Sequence, residues 1–219
     1  MLDPLSQETI ERYLRAVLDA NKTVNLTTIT GWDEALVLHI EDSLAGLPEV
    51  DAAPEGALLD MGTGGGFPGV PLAVATGRPV VLADAREKKI KAVMDAVAAA
   101  GIEGVTGHAG RVENLAQAHP GEFSVVVARA LASLPVLLEL AYPLLRAGGE
   151  LIAYKSGDCE GELAAALSLE DKLAMTLRSD RALTLSDGSA RRIIVFERTG
   201  EAKVDLPRRP GMAQKRPYA

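Results

Sequence analysis

From residue 57 onward, short apolar runs alternate with longer stretches whose apolar residues recur at helical spacing. The apolar runs predict strands at 57–61, 79–83, 104–108, 123–128 and 149–155. The stretches between them predict helices at 69–76, 86–100, 111–118 and 134–146. Strands that alternate with helices through short links form parallel sheets covered on both faces, so we expect an α/β fold.

The pattern changes after the fifth predicted strand. Gly148-Gly149 is typical of a helix stop just before that strand. A helix at 160–168 then precedes strand segments at 173–178 with 182–185 and at 191–198. Asp187-Gly188 lies between these segments and predicts a hairpin, so we expect the sheet to end in an antiparallel pair. A parallel core closed by such a hairpin is the plan of the class I methyltransferase fold, a Rossmann-like, mostly parallel seven-stranded sheet.

Two helical patterns precede the first strand. One covers residues 5–20, and the second begins near Trp32 and carries His39. We therefore predict an N-terminal helical extension packed on the core over residues 1–50, a methyltransferase domain over 51–206 and a basic C-terminal tail over 207–219.

Composition and charge narrow the class of protein. The 219 residues are 47% hydrophobic, enough for one sizeable core. The single cysteine, Cys159, excludes an internal disulfide, and without a signal-like or membrane-spanning run we expect a soluble, cytoplasmic protein. The net charge of −7 argues against a polyanionic partner, but residues 207–216 contain four basic residues and no acid. That segment is equally consistent with a nucleic-acid contact and with a solvated tail.

The glycine-rich stretch from Asp60 to Gly69 links the first strand to the following helix and predicts a nucleotide site. Gly64, Gly66 and Gly69 formally satisfy the dinucleotide fingerprint, which is a weak signal alone. Asp60 would repel a pyrophosphate but would favour a ligand with an ammonium or sulfonium group. S-adenosyl-L-methionine carries both groups. The alternative is that Asp60 only caps the turn.

Two further acids follow the next strands. Asp84 follows the second strand, where a carboxylate can accept from ribose hydroxyls of either cofactor class, although it could also cap the helix that begins near Arg86. Glu113, with Val112 before it, begins a helix after the third strand. That position suits contact with an adenine, while a solvated acid at a helix start is the alternative for Glu113.

Several blocks in order resemble the glucose-inhibited division protein B family (GidB, also RsmG). The resemblance covers about residues 24–217 and departs from the family pattern at Leu38, Ala85 and Ser156. The matching blocks are Asn25-Leu26-Thr27, His39-Ile40-Glu41-Asp42-Ser43-Leu44, the Asp60–Gly69 loop, Gly110-Arg111-Val112-Glu113, Ala128-Arg129-Ala130, Tyr154-Lys155 and residues 209–217.

The resemblance implies an enzyme that transfers a methyl group from S-adenosyl-L-methionine to N7 of a guanine in 16S rRNA, guanine 527 of the decoding region. From the residues we also expect a monomer with no bound metal and no membrane partner, because the three scattered histidines and one cysteine have no metal-ligand spacing. The 16S rRNA or the small ribosomal subunit would be its partner. The implied cofactor-binding residues are Asp60, Gly62, Gly64, Gly66, Phe67, Asp84, Val112, Glu113 and Arg129. Arg129 and Lys155 would position the substrate.

Guanine N7 carries a lone pair and no proton, so direct in-line attack on the methyl group needs no general base. The residues after the fourth strand are consistent with this mechanism, because they include neither an Asp/Asn-Pro-Pro-aromatic turn nor a Pro-Cys nucleophile. We expect Arg129 and Lys155 to hold RNA without moving a proton. A surface charge is the alternative for Lys155, and a packed, satisfied side chain is favoured over a catalytic one for His39.

The sequence also leaves other functions open. The protein could methylate another substrate, including a small molecule, or could be a non-catalytic nucleotide-binding or ribosome-assembly protein on the same fold. An NAD-dependent oxidoreductase is the remote alternative. A basic surface beside the cofactor cleft would favour an RNA substrate.

Overall fold

A computed structural model describes residues 3–218 of the chain. Its seven strands form one sheet in the order β3-β2-β1-β4-β5-β7-β6. The strands are β1 Leu58–Met61, β2 Val80–Asp84, β3 Val105–Ala109, β4 Phe123–Arg129, β5 Leu145–Ser156, β6 Met175–Thr184 and β7 Ala190–Arg198. Strands β1 to β5 run parallel and β7 runs antiparallel to β5 and β6. The predicted class I methyltransferase architecture is therefore confirmed.

The helices cover both faces of the sheet because strand side chains alternate in direction. Leu58 and Val125 pack with the helices of one face, and Leu59 and Val126 with those of the other. The first face is covered by α1 Pro4–Asn21, α5 Gly69–Thr76 and α6 Glu87–Ala100. The second is covered by α7 Val112–Ala118, α8 Leu134–Ala141, α9 Glu160–Leu167, α10 Glu170–Leu173 and α11 Met212–Lys215.

The N-terminal helices are more irregular than the sequence indicates. Asp3 caps α1 by accepting from the Leu5 and Ser6 main-chain N–H groups. The second helical pattern forms one continuous run of α2 Trp32–Ala35, a π-helical segment Leu36–Glu41 and α3 Asp42–Leu44. A further short helix, α4 Leu47–Ala52, was not predicted.

Two predicted boundaries are wrong. The helix predicted at 134–146 ends at Ala141, and β5 begins at Leu145, before the glycine pair. The pairing of β5 with β4 shifts between Phe123 and Val125, and a Cβ on Gly149 would lie 3.0 Å from the Arg146 carbonyl oxygen. The glycines therefore allow a bulge inside a strand and do not end a helix.

The sequence predicts the first strand of the hairpin as two segments, 173–178 and 182–185, but the structure joins them into one strand. Strand β6 is continuous and carries an irregularity between Leu177 and Ser179. The predicted hairpin to β7 around Asp187-Gly188 is confirmed. Among the described residues, no helix is long and apolar enough to cross a membrane. Residues 3–218 also contain no cluster of His, Cys, Asp and Glu that could hold a metal ion.

Candidate cofactor and substrate site

The glycine loop lies between β1 and α5, at the carboxyl edge of the sheet. Gly62, Gly64 and Gly66 all have positive φ angles, of 79°, 57° and 83°. A Cβ on Gly62 would lie 2.7 Å from Leu131 Cδ1, whereas the space at Gly64 is open. Gly62 and Gly64 line cavities and can bring main chain close to a ligand.

Gly66 has a different reason to be glycine. A Cβ at this position would lie 1.9 Å from the Tyr13 hydroxyl oxygen of α1. That hydroxyl donates to the Gly65 carbonyl oxygen at 2.8 Å. Gly66 thus gives α1 room to fix the loop from behind, and its predicted contact with a cofactor stays a prediction.

Asp60 is the penultimate residue of β1 and is fully buried. Its Oδ2 accepts from Thr63 Oγ1 at 2.6 Å and from the Gly69 N–H at 2.8 Å, so the turn-capping alternative describes real contacts. Its Oδ1 has no hydrogen-bond partner within residues 3–218. A buried carboxylate oxygen that lacks a donor beside an open glycine loop fits a cationic ligand group.

Burial raises the pKa of Asp60 from its usual 3.8 to about 6, against the lowering effect of the two hydrogen bonds. Between pH 3.8 and about 6 the folded protein therefore keeps a proton that the unfolded chain has lost. It follows that Asp60 makes the unliganded protein less stable as the pH rises through this window.

The inner cavity, as we name it, lies beside the loop over the ends of β1 to β3. It is lined by Gly62, Ala83, Asp84, Ala85, Gly110, Arg111, Val112, Glu113, Leu131, Leu140 and Gln214. Asp84 Oδ1 accepts from the Arg86 N–H at 2.8 Å, so it supports the start of α6 as well as lining the cavity. Glu113 is buried and accepts from the Gly211 N–H at 2.6 Å, so the solvated-acid alternative is wrong.

Arg129 ends β4 and connects the sheet to the N-terminal helices. Its Nη1 donates to the Leu38 carbonyl oxygen at 2.7 Å and to Asp42 Oδ2 at 2.8 Å. The other carboxylate oxygen of Asp42, Oδ1, accepts from Arg191 Nε of β7 at 3.0 Å. Asp42 is buried, so a single carboxylate bridges two arginines at the edge of the sheet.

The π-helical segment explains why the Leu38 carbonyl can accept from Arg129. In a regular α-helix this oxygen would accept from the Asp42 N–H. Here the Asp42 N–H bonds to the carbonyl oxygens of Val37 and His39 instead. The wider turn leaves the Leu38 oxygen for a side chain, a recurrent use of π-helical segments at functional sites.

His39 stacks on Phe67 with parallel rings and a centroid distance of 4.4 Å. Its Nδ1 lies 3.4 Å from Arg129 Nη2, and its Nε2 lies 2.9 Å from Thr27 Oγ1. A guanidinium only donates, so Nδ1 accepts and Nε2 carries the proton. Burial, together with the charge of Arg129, lowers the pKa of His39 to about 4 and keeps the ring neutral at pH 7. The packed histidine that we predicted is confirmed.

Lys155 lies near the end of β5 with only 13% of its side chain exposed. Its Nζ donates to the Ala132 carbonyl oxygen at 3.1 Å and pairs with Glu162 Oε2 at 2.7 Å. The same Glu162 oxygen accepts from the Leu134 N–H at 2.9 Å. Lys155 is therefore not a free surface charge, because it fixes the segment after β4 to α9.

The outer cleft, as we name it, opens in front of the loop and consists of two adjoining cavities that share Thr27, His39, Arg129 and Ala130. Gly62, Asp84 and Leu131 also line the inner cavity, so the two spaces meet there. The cations along the outer cleft are Arg86, Lys89, Arg129, Lys155 and Arg191. Asp42 and Asp84 are the acids along it, so positive charge is in excess despite the acidic chain.

Sequence reasoning missed several residues of the site. Asp42 belongs to the family block His39–Leu44, but its contact with Arg191 joins residues 149 positions apart, and no local sequence pattern predicts such a contact. Thr27 of the Asn25-Leu26-Thr27 block also lines the cleft, and Leu131 lines it without belonging to any motif. Gln214 of the predicted basic tail lines the inner cavity. The charge of the tail does not predict this position, because Gln214 is uncharged.

Comparisons with known proteins agree with this geometry. A sequence model of the GidB family, described as rRNA small subunit methyltransferase G, matches residues 6–193. A ribosomal RNA small subunit methyltransferase G from Carboxydothermus hydrogenoformans is 36% identical over 214 residues, covering 96% of this chain and 91% of the relative. One from Deinococcus radiodurans is 37% identical, covering 96% and 85%.

Solved structures show the same fold. A putative methyltransferase from Bacillus halodurans superposes with a TM-score of 0.58 at 15% identity, covering 72% of this chain and 99% of that one. A SAM-dependent methyltransferase from Methanosarcina mazei has a TM-score of 0.58 at 16% identity, covering 70% and 98%.

Proposed function

Because the chain belongs to the GidB family of rRNA small subunit methyltransferases, we propose that it methylates N7 of guanine 527 in 16S rRNA, acting as a monomer with S-adenosyl-L-methionine. One observation carries the proposal: the inner cavity and the basic outer cleft meet at Gly62 and Leu131. A cofactor in the first space would present its methyl group to a nucleotide in the second.

The inner cavity and the loop fit this cofactor. The unpartnered Oδ1 of Asp60 would lie toward the cationic amino-acid end, and Gly62 and Gly64 would let the main chain approach it. Asp84 would accept from the ribose hydroxyls, and Val112 with Glu113 would contact the adenine. When bound, S-adenosyl-L-methionine supplies a sulfonium methyl that the N7 lone pair attacks, with S-adenosylhomocysteine as the leaving group.

The side chains of the outer cleft suit orientation more than proton transfer. Guanine N7 has no proton to lose, and the neutral His39 ring already bonds through both nitrogens. Arg129 is held by Leu38 and Asp42 beside the ring of Phe67, with its Cζ 6.0 Å from the ring centroid. These contacts fix the Arg129 guanidinium before the substrate binds. Preorganisation of this kind lowers the entropic cost of positioning the substrate in the transition state.

The required attack restricts how Arg129 can contact guanine. Arginine commonly bonds to both O6 and N7 of guanine. A donor on N7 would occupy the lone pair that must reach the methyl group. Arg129 would therefore contact O6 or a phosphate, while Arg191 and Lys89 along the same cleft would attract the RNA backbone. Lys155, which is paired with Glu162, would position the segment after β4 beside the substrate.

Two measurements test the proposal. Mass spectrometry of 16S rRNA from a strain without the protein should show one N7-methylguanine missing, and the wild-type protein should restore it. In vitro, Arg129→Ala should lower the rate of tritiated methyl transfer to small subunits about 10- to 100-fold, as expected for a lost charged hydrogen bond. The exposed Arg12→Ala is the matched control and should transfer at the wild-type rate. Persistence of every N7-methylguanine in the deletion strain would overturn the proposal.

A further inference from the structure

The C-terminal segment 207–218, which the sequence marks as a basic tail, is anchored on the core. Arg208 Nε donates to Glu139 Oε1 of α8 at 2.6 Å, and that carboxylate is buried. The Arg208 guanidinium also lies 4.1 Å from the centroid of the Tyr218 ring. Ala213 is buried in the cluster of side chains around α8. Arg208 is thus committed to folding the segment back and is not free to contact RNA.

The anchored segment reaches the inner cavity at two points. Gly211 adopts a positive φ of 79°, and its N–H donates to Glu113 Oε1 at 2.6 Å. Three residues later, the Gln214 side chain joins Glu113 and Asp84 in the cavity wall. Gln214 is exposed and, within residues 3–218, its carboxamide makes no hydrogen bond. A polar side chain is therefore available at the wall where the adenosine of the cofactor is expected.

We propose that the segment 207–218 forms one wall of the cofactor pocket, with Gln214 contacting the adenosine of the cofactor, an inference that rests on the proposed function. A carboxamide carries a donor and an acceptor, and adenine edges offer the complementary pair. Glu113 links the two events, because the carboxylate expected at the adenine also holds Gly211. Cofactor binding and docking of the segment consequently stabilise each other, and the coupling is reciprocal.

Calorimetric titration of the full chain with S-adenosylhomocysteine tests the contact. Gln214→Ala should weaken binding about 3- to 10-fold, the effect of one or two neutral hydrogen bonds. Lys215→Ala is the matched control, since Lys215 is exposed on the same helix and lies outside the cavity wall. If the wild type binds and Gln214→Ala binds equally well, the inference is wrong. If the wild type does not bind, the proposed function itself fails.

Limited trypsin digestion followed by mass spectrometry tests the coupling. Cleavage after Lys215 and after Arg208 should slow at least threefold in the presence of saturating S-adenosylhomocysteine. Cleavage after the exposed Lys22, at the end of α1, should not change. Equal rates at Lys215 and Arg208 with and without the ligand would overturn the coupling even if the calorimetric difference were found.

Discussion

Replacing Asp42 by asparagine should both destabilise the protein and impair the outer cleft, because its carboxylate bridges two arginines. Oδ2 accepts from Arg129 Nη1 at 2.8 Å and Oδ1 accepts from Arg191 Nε at 3.0 Å. Only 6% of the Asp42 side chain is exposed. Asparagine keeps one acceptor oxygen, so one of the two guanidinium groups would face an amide donor.

The geometry sets the size of the effect. A hydrogen bond to a charged group contributes about 1.5–3 kcal/mol, and removal of one partner from a fully buried ion pair costs about 3–5 kcal/mol. Arg129 and Arg191 are 14% and 20% exposed, so water compensates part of the loss. We expect Asp42→Asn to lower the free energy of unfolding by about 2–3 kcal/mol, which for a chain of this size lowers Tm by roughly 4–12 °C.

Urea unfolding followed by circular dichroism measures the stability. The control is Asp33→Asn, the same substitution at an exposed position of α2, which should change the free energy of unfolding by less than about 0.5 kcal/mol. Methyl transfer by Asp42→Asn should fall at least tenfold, with a smaller change in S-adenosylhomocysteine affinity, because Arg129 loses one of its positioning partners. An unfolding free energy equal to that of Asp33→Asn would refute the bridge as a stabilising contact.

Three further substitutions test the loop. Gly62→Ala should weaken S-adenosylhomocysteine binding, because its φ of 79° strains an alanine and its methyl group would fall 2.7 Å from Leu131 Cδ1, which would have to shift. The control Gly77→Ala, with a φ of 67° and open surroundings, should bind normally at a cost of about 1–2 kcal/mol in stability. Asp60→Asn should remove the decline in stability between about pH 4 and pH 6, worth up to about 3 kcal/mol, and an unchanged pH profile in urea unfolding would contradict the buried-carboxylate explanation. Tyr13→Phe should lower the free energy of unfolding by about 1–3 kcal/mol because the Gly65 carbonyl loses its donor, and an unaltered urea midpoint would count against this.

The fold was predictable where burial alone determines secondary structure. Strands covered on both faces are nearly all apolar, and this pattern needs no knowledge of distant residues. The prediction failed where main-chain packing decides the outcome. Gly149 is typical of a helix stop in isolation, but its hydrogen atom faces carbonyl oxygens of β4 inside a bulge. The unpredicted helix Leu47–Ala52 is too short for a helical period to be distinctive.

The conformation of the glycine loop was predictable, whereas the contacts that hold the surrounding segments in place were not. The positive φ angles of Gly62 and Gly64 agree with what a glycine-rich turn requires. The pairing of Lys155 with Glu162 could not be read from the sequence, since charge pairs between separate elements follow no period. The wall supplied by Gln214 was missed for a similar reason, because net charge describes a tail and does not show where it folds back.

The π-helical segment Leu36–Glu41 has a consequence for how this chain tolerates changes in length. Deleting one residue there would restore regular i to i+4 bonding, and a main-chain N–H would then occupy the Leu38 carbonyl oxygen. Residues before the deletion would also turn by about 100° relative to those after it. His39 lies within this segment and Asp42 directly follows it, so the two side chains could no longer both reach Arg129. The number of residues in this helix, more than their apolar character, therefore determines whether the N-terminal helices can hold the arginine.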